Sequence, residues 1–149
     1  MTRREQILNR LIVILRDVDG IEAAERNLDQ FPQEVRPMVI LLDGDEEFPP
    51  EFREHKFLKG RAPLIIEMTP LIELSVSGVP DDVGLTANEI LGRIQTAVLT
   101  DATLQNGVLG PNGAVYYLAC DGRTSHSMAM DCDLQIRFAF RYPLFPTAP

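Results

Sequence analysis

The residues best suited to chemistry stand at the end of an apolar run. Arg36 to Glu47 read RPMVILLDGDEE, so the run Met38 to Leu42 is followed by four carboxylates, Asp43, Asp45, Glu46 and Glu47, set around Gly44. An apolar stretch of this length reads as a buried strand, and its polar end as the point where the chain leaves the core. Carboxylate oxygens are hard ligands suited to magnesium or calcium. The segment lacks the D-x-D-x-D-G spacing of a calcium-binding loop, and no later glutamate stands where that loop would need one. The carboxylates then read either as a solvated turn or as a contact with another protein.

Glu54-His55-Lys56 adds a nuclease reading. A strand-end Asp followed by Glu-x-Lys is the pattern of magnesium nucleases with the restriction-endonuclease core, whose carboxylates hold the metal while the lysine positions water. Here the Glu-x-Lys stands in a proline-containing, charged connection, Phe48 to Arg61, ahead of the next strand. That strand supplies Glu67-Met68-Thr69 with no lysine. Cys120, His126 and Cys132 form C-x5-H-x5-C, a partial zinc set for which Asp121, Asp131 or Asp133 would be the fourth ligand. Structural zinc sites favour closely spaced ligand pairs, so two reduced thiols at the facing ends of a hairpin are the expected reading. His55 and His126 are the only histidines, and neither has a nucleophile motif beside it. Ser125 and Ser127 flank His126, but neighbouring strand positions point to opposite faces. Gly107, Gly110 and Gly113 precede a strand rather than opening a helix, which suits turns and not a phosphate cradle. The residues assign no catalytic group, no metal and no cofactor.

Composition limits the partners. The chain has 149 residues, 45% hydrophobic and 24% charged, as expected of one globular domain spanning residues 1–149. A formal charge of -8 disfavours nucleic acid and anionic lipid, whose phosphates are bound mainly by Lys and Arg. The apolar stretch Leu11 to Leu15 lies between Arg10 and Arg16, which fits neither a signal peptide nor a membrane span. A cytoplasmic protein is expected, and two cysteines are too few for a secreted disulfide scaffold.

The elements that must position these residues follow from periodicity. Thr2-Arg3-Arg4-Glu5 has the form of a capping box, and Ile7, Leu8, Leu11, Ile12, Leu15 and Val18 recur at helical spacing up to Asp19-Gly20. Ile21 to Leu28 is a short strand ending in Arg26-Asn27, and Met38 to Leu42 is the second strand. From Leu64 to Val76 one face carries Leu64, Ile66, Met68, Ile72, Leu74 and Val76, the other Glu67, Thr69, Glu73 and Ser75. Pro70 predicts a bulge there or a place at the sheet edge, open to another subunit. Thr86-Ala87-Asn88-Glu89 predicts the start of a second helix, ending near Thr100 to Thr103. Ala114 to Cys120 and the alternating run Leu134 to Tyr142 predict a hairpin. The expected fold is α+β, order α-β-β-β-α-β-β, with two helices on one face of a mixed or antiparallel sheet of about five strands.

The capped first helix, the strand ending in Arg26-Asn27, the Arg36-Pro37 to Glu46 segment, the long third strand, the second helix and a Phe-x-Phe-x-Tyr-x-Leu ending together resemble the tail terminator and minor tail proteins of long-tailed, lambda-type phages. The resemblance implies a non-enzymatic ring, commonly a hexamer, that caps the tail tube in the host cytoplasm and stays in the virion tail. Its partners would be further copies of itself, the tail tube protein and a head-completion protein, with no nucleic acid and no membrane. Contact candidates are then Asp43, Asp45, Glu46, Glu47, the Phe48 to Lys59 loop, the strand around Pro70, and Arg137 and Arg141 on the polar face of the last strand. Arg3, Arg4, Arg10 and Arg16 of a neighbour would meet the carboxylates in a head-to-tail ring. Another neck or connector protein of the virion fits the same profile.

Overall fold

The computed structural model describes residues 1–32, 34–49, 64–110, 113–126 and 130–144. The first helix, α1, spans Arg3–Asp17. The Thr2 side chain accepts from the Glu5 amide at 3.1 Å, which forms half of the expected capping box. The Glu5 carboxylate turns instead to Arg26, so the reciprocal half is not made. The expected stripe from Ile7 to Val18 is buried, and Ile14 joins it.

The strands are β1 (Ala23–Arg26), β2 (Met38–Glu47), β3 (Leu64–Gly78), β4 (Ala114–His126) and β5 (Met130–Leu144). They form one mixed sheet in the order β1-β2-β3-β5-β4, with β1 parallel to β2 and every other pair antiparallel. The second helix, α2, spans Pro80–Leu99. It starts well before the predicted Thr86, because Pro80 is preset for the first helical turn and Asp81 and Asp82 face the positive end of the helix dipole. A short π-helical turn, Leu104–Val108, follows it.

Both helices cover the same face of the sheet. Val39 and Leu41 of β2, Met68, Ile72 and Leu74 of β3, and Ile136, Phe138 and Phe140 of β5 meet the apolar stripes of α1 and α2 in one core. Alternation puts Glu67, Glu73, Asp133, Gln135 and Arg137 on the other face.

β3 is not an edge strand. It pairs with β2 on one side and β5 on the other; β3 and β5, each fifteen residues long with a continuous apolar face, both take interior places. The bulge expected at Pro70 is present, but on the facing strand. Leu42 pairs with Leu71 and Asp45 with Thr69, so Asp43 and Gly44 together oppose Pro70. Pro70 has no N–H to give, and the extra residue in β2 absorbs the gap. Gly44 adopts φ +72°, and a Cβ there would stand 2.1 Å from the Thr69 carbonyl oxygen. Replacing it should therefore strain both backbones. Gly44→Ala should lower the unfolding free energy by about 3 kcal/mol, read by urea denaturation.

Candidate functional site

The acidic segment is not a turn. β2 runs on through the bulge to Glu47, so the carboxylates lie along a strand rather than on a connection. The polyvalent ladder with β3 keeps the backbone extended beyond the point where the apolar run ends.

Asp43 is held by the end of β1. Arg26 presents its guanidinium to two carboxylates at once. Its Nε and Nη2 donate to Asp43 at 2.9 and 3.0 Å, and Nη1 and Nη2 donate to Glu5 at 2.6 and 2.9 Å. A planar fork of five donors makes such double engagement possible where lysine could not. The Arg26 hydrogen bonds hold the carboxyls of Asp43 and Glu5 below their usual range, against desolvation, which acts the other way. Asn27 completes the clamp from the left-handed region, φ 57°. Its amide donates to the Leu41 carbonyl and its Oδ1 accepts from the Asp43 amide.

The next residues have separate environments. Arg4 donates to the Gly44 carbonyl at 2.6 Å and approaches Glu46 at 4.0 Å. Glu46 accepts from the Tyr142 hydroxyl at 2.5 Å. Burial first, then this bond to a carboxylate, pushes the tyrosine pKa well above its ordinary value. Asp45 is exposed, and Glu47 stands opposite Glu67 in the β2/β3 register. Arg141 donates to Glu67 at 2.8 Å and lies over the Tyr116 ring at 5.3 Å, while Arg137 is exposed on the polar face.

The arginines expected to reach a neighbour's carboxylates have partners within their own chain. Arg3 donates to Val108 O, Arg10 grips Asp101 through two bonds, and Arg16 bonds Ala24 O and lies 3.6 Å from Glu25. Basic helix and acidic strand end are thus brought together by folding, through Arg4, Glu5 and Arg26. The sequence reading missed Arg26 as an organiser. The signal was an Arg-Asn pair closing a short strand, where left-handed geometry favours asparagine.

The other chemical candidates fall partly outside the described residues. Glu54, His55 and Lys56 lie outside the described residues, as do Ser127 and the side chains of Ser125 and His126. The two cysteines do not sit at facing hairpin positions: Cys120 is opposite Ile136 and Cys132 opposite Thr124. Both thiols have raised pKa values, chiefly from burial, which keeps them protonated. Asp133 and Asp131 accept from Ser75 and Ser77 on the other face of the sheet. Among the described residues no group of three or more His, Cys, Asp or Glu side chains is placed to hold a metal ion. A groove of about 580 Å³ between α1 and α2 is lined by Arg10, Asp17, Asp19, Arg93 and Asp101. Its arginines are engaged, Arg10 with Asp101 and Arg93 with the Asp19 carbonyl. No helix among the described residues is long and apolar enough to cross a membrane.

Neither a protein-family model nor a curated protein matches the chain at a significant level.

Because Asp43 has a lowered pKa in the folded protein, the stability it adds is present at neutral pH and fades as acid protonates it below the ordinary carboxylate range. Asp43→Asn should cost about 1–2 kcal/mol at neutral pH. The difference from wild type should shrink as the pH falls below about 4, measured by urea unfolding across pH.

Proposed function

We propose that the protein is a non-enzymatic assembly protein of a phage or prophage virion, acting as a tail terminator that caps the tail tube as a ring and joins tail to head. The observation that supports this most is convergence. Thr2-x-x-Glu5, Arg26-Asn27 and Asp43-Gly44, three of the separate segments on which the resemblance rests, meet in one clamp at one end of the sheet. The element order α-β-β-β-α-β-β supports it as well.

In this reading the clamp holds the strand end rigid, and contact with the tube falls to the groups projecting beyond it. Asp45 is exposed between Asp43, which Arg26 holds, and Glu46, which takes the Tyr142 hydroxyl. It is the carboxylate on this strand best placed to meet a partner without dismantling the fold. Arg137 offers an exposed positive charge on the polar face of the sheet. Such charges steer partners and reject wrong ones more than they add affinity.

Particles assembled without the protein decide the matter when viewed by electron microscopy. Overlong tails are expected of a terminator. Tails of normal length lacking heads would point to another connector of the neck, and normal infectious particles would end the virion reading. Asp45→Lys should weaken ring formation on the tube, more at low salt than at high, in negative-stain images. An unchanged ring yield would exclude Asp45 from the contact.

A further inference from the structure

The sheet has two edges of unequal character. β1 is four residues long, and its terminal Arg26 is committed to Glu5 and Asp43. β4 is thirteen residues long and carries three consecutive exposed apolar side chains, Tyr116 at 47%, Tyr117 at 36% and Leu118 at 50%. A long edge is a template for another strand unless it is blunted by bulges or by like charges. The register jump between Tyr117 and Ala119 bulges this strand at Leu118. Beyond it the ladder with β5 is unbroken from Ala119 to His126, and this is the regular part of an edge left unpaired among the described residues.

The charges on that part are of opposite sign and two residues apart. Asp121 and Arg123 flank Gly122, and all three are exposed. Register with Gln135 and Asp133 puts both side chains on the face away from the helices. Neither makes an ion pair among the described residues. A run of like charge would repel a second copy, whereas Asp-Gly-Arg is complementary to itself when reversed.

Charge then favours one register among the three centred on Asp121, Gly122 or Arg123. In antiparallel pairing, residues directly opposite share one face and one hydrogen-bonding class, so a two-fold axis must pass at a residue position and not between two. An axis at Asp121 or Arg123 would set like charges against each other. With the axis at Gly122, Asp121 lies opposite the partner's Arg123, and the reciprocal pair forms by symmetry. Glycine opposite glycine leaves no side chain to crowd the axis.

We propose that the protein pairs with a second copy of itself through β4, antiparallel and centred on Gly122, continuing the two sheets across Ala119 to Ser125 of each copy. This contact is isologous, whereas a ring closes through head-to-tail contacts, so the pairing does not depend on the tail reading.

Sedimentation of the purified chain at about 100 μM and low salt tests it, since low salt leaves the charge pairs unscreened. Wild type should be a dimer, and Asp121→Arg should raise the dimer dissociation constant at least about tenfold. Adding Arg123→Asp to that variant should restore the dimer, with circular dichroism verifying the fold of each. Amide exchange on unaltered protein provides a second measurement: alternate amides between Ala119 and Ser125 should gain protection as concentration rises. A wild-type monomer, a dimer indifferent to Asp121→Arg, or exchange in β4 independent of concentration would each overturn the proposal.

Discussion

A proline in a strand with neighbours on both sides has to be accommodated by those neighbours, and at Pro70 the accommodation shapes the acidic end of β2. The ladder to β5 passes Thr69 and Pro70 without losing register, while β2 inserts a residue opposite them. That insertion requires a residue of positive φ lying almost on the β3 backbone, which only glycine permits. It also changes which way β2 presents its side chains after Leu42. Asp43 is thereby delivered to the end of β1, where Arg26 can take it together with Glu5 from α1. The proline, the glycine and the arginine fork are one device, linking the middle of the sheet to the first helix.

A clamp of this kind stabilises by satisfaction as much as by attraction. Arg26 is partly buried, and an unpaired guanidinium there would lose hydration without compensation. Two carboxylates and the Asn27 side chain close the network, so the polar end of the strand is as well determined as its apolar start. The consequence for function is subtraction: Asp43 and Glu46 are spoken for within the chain, and exposed chemistry moves to Asp45, Arg137 and the β4 edge.

Much of the fold could be read from periodicity. The alternation from Leu64 to Val76 and from Leu134 to Tyr142 fixed which side chains face the helices, since every second residue on a paired strand must share a face. The stripe of α1 was equally plain. What periodicity could not reveal was strand order, which depends on competition among apolar faces for central places, and so β3 was mistaken for a possible edge. The start of α2 was misplaced because Thr86-x-x-Glu89 has the form of a capping box, whereas the helix begins at Pro80, a residue that costs no hydrogen bond in the first turn. The Arg26 clamp was illegible for a different reason. An arginine pairs with whatever folding brings within reach, and neither Glu5 nor Asp43 lies at a sequence distance that predicts contact.

The same physics separates the two ends of the molecule. Near Gly44, opposite charges are brought together inside one chain, and Asp45 is left as the exposed carboxylate of the strand end. Along β4, Asp121 and Arg123 are too close on one strand to satisfy each other across a ladder. They project from neighbouring same-face positions, where β5 offers Gln135 opposite Asp121 and, opposite Arg123, Asp133, which already accepts from Ser75. In the proposed pairing the reversed copy of β4 would set Arg123 opposite Asp121, which has only Gln135 beside it within the chain. Charge near Gly44 is thus committed to the fold, whereas the exposed Asp121 and Arg123 leave β4 the edge on which the proposed pairing would draw.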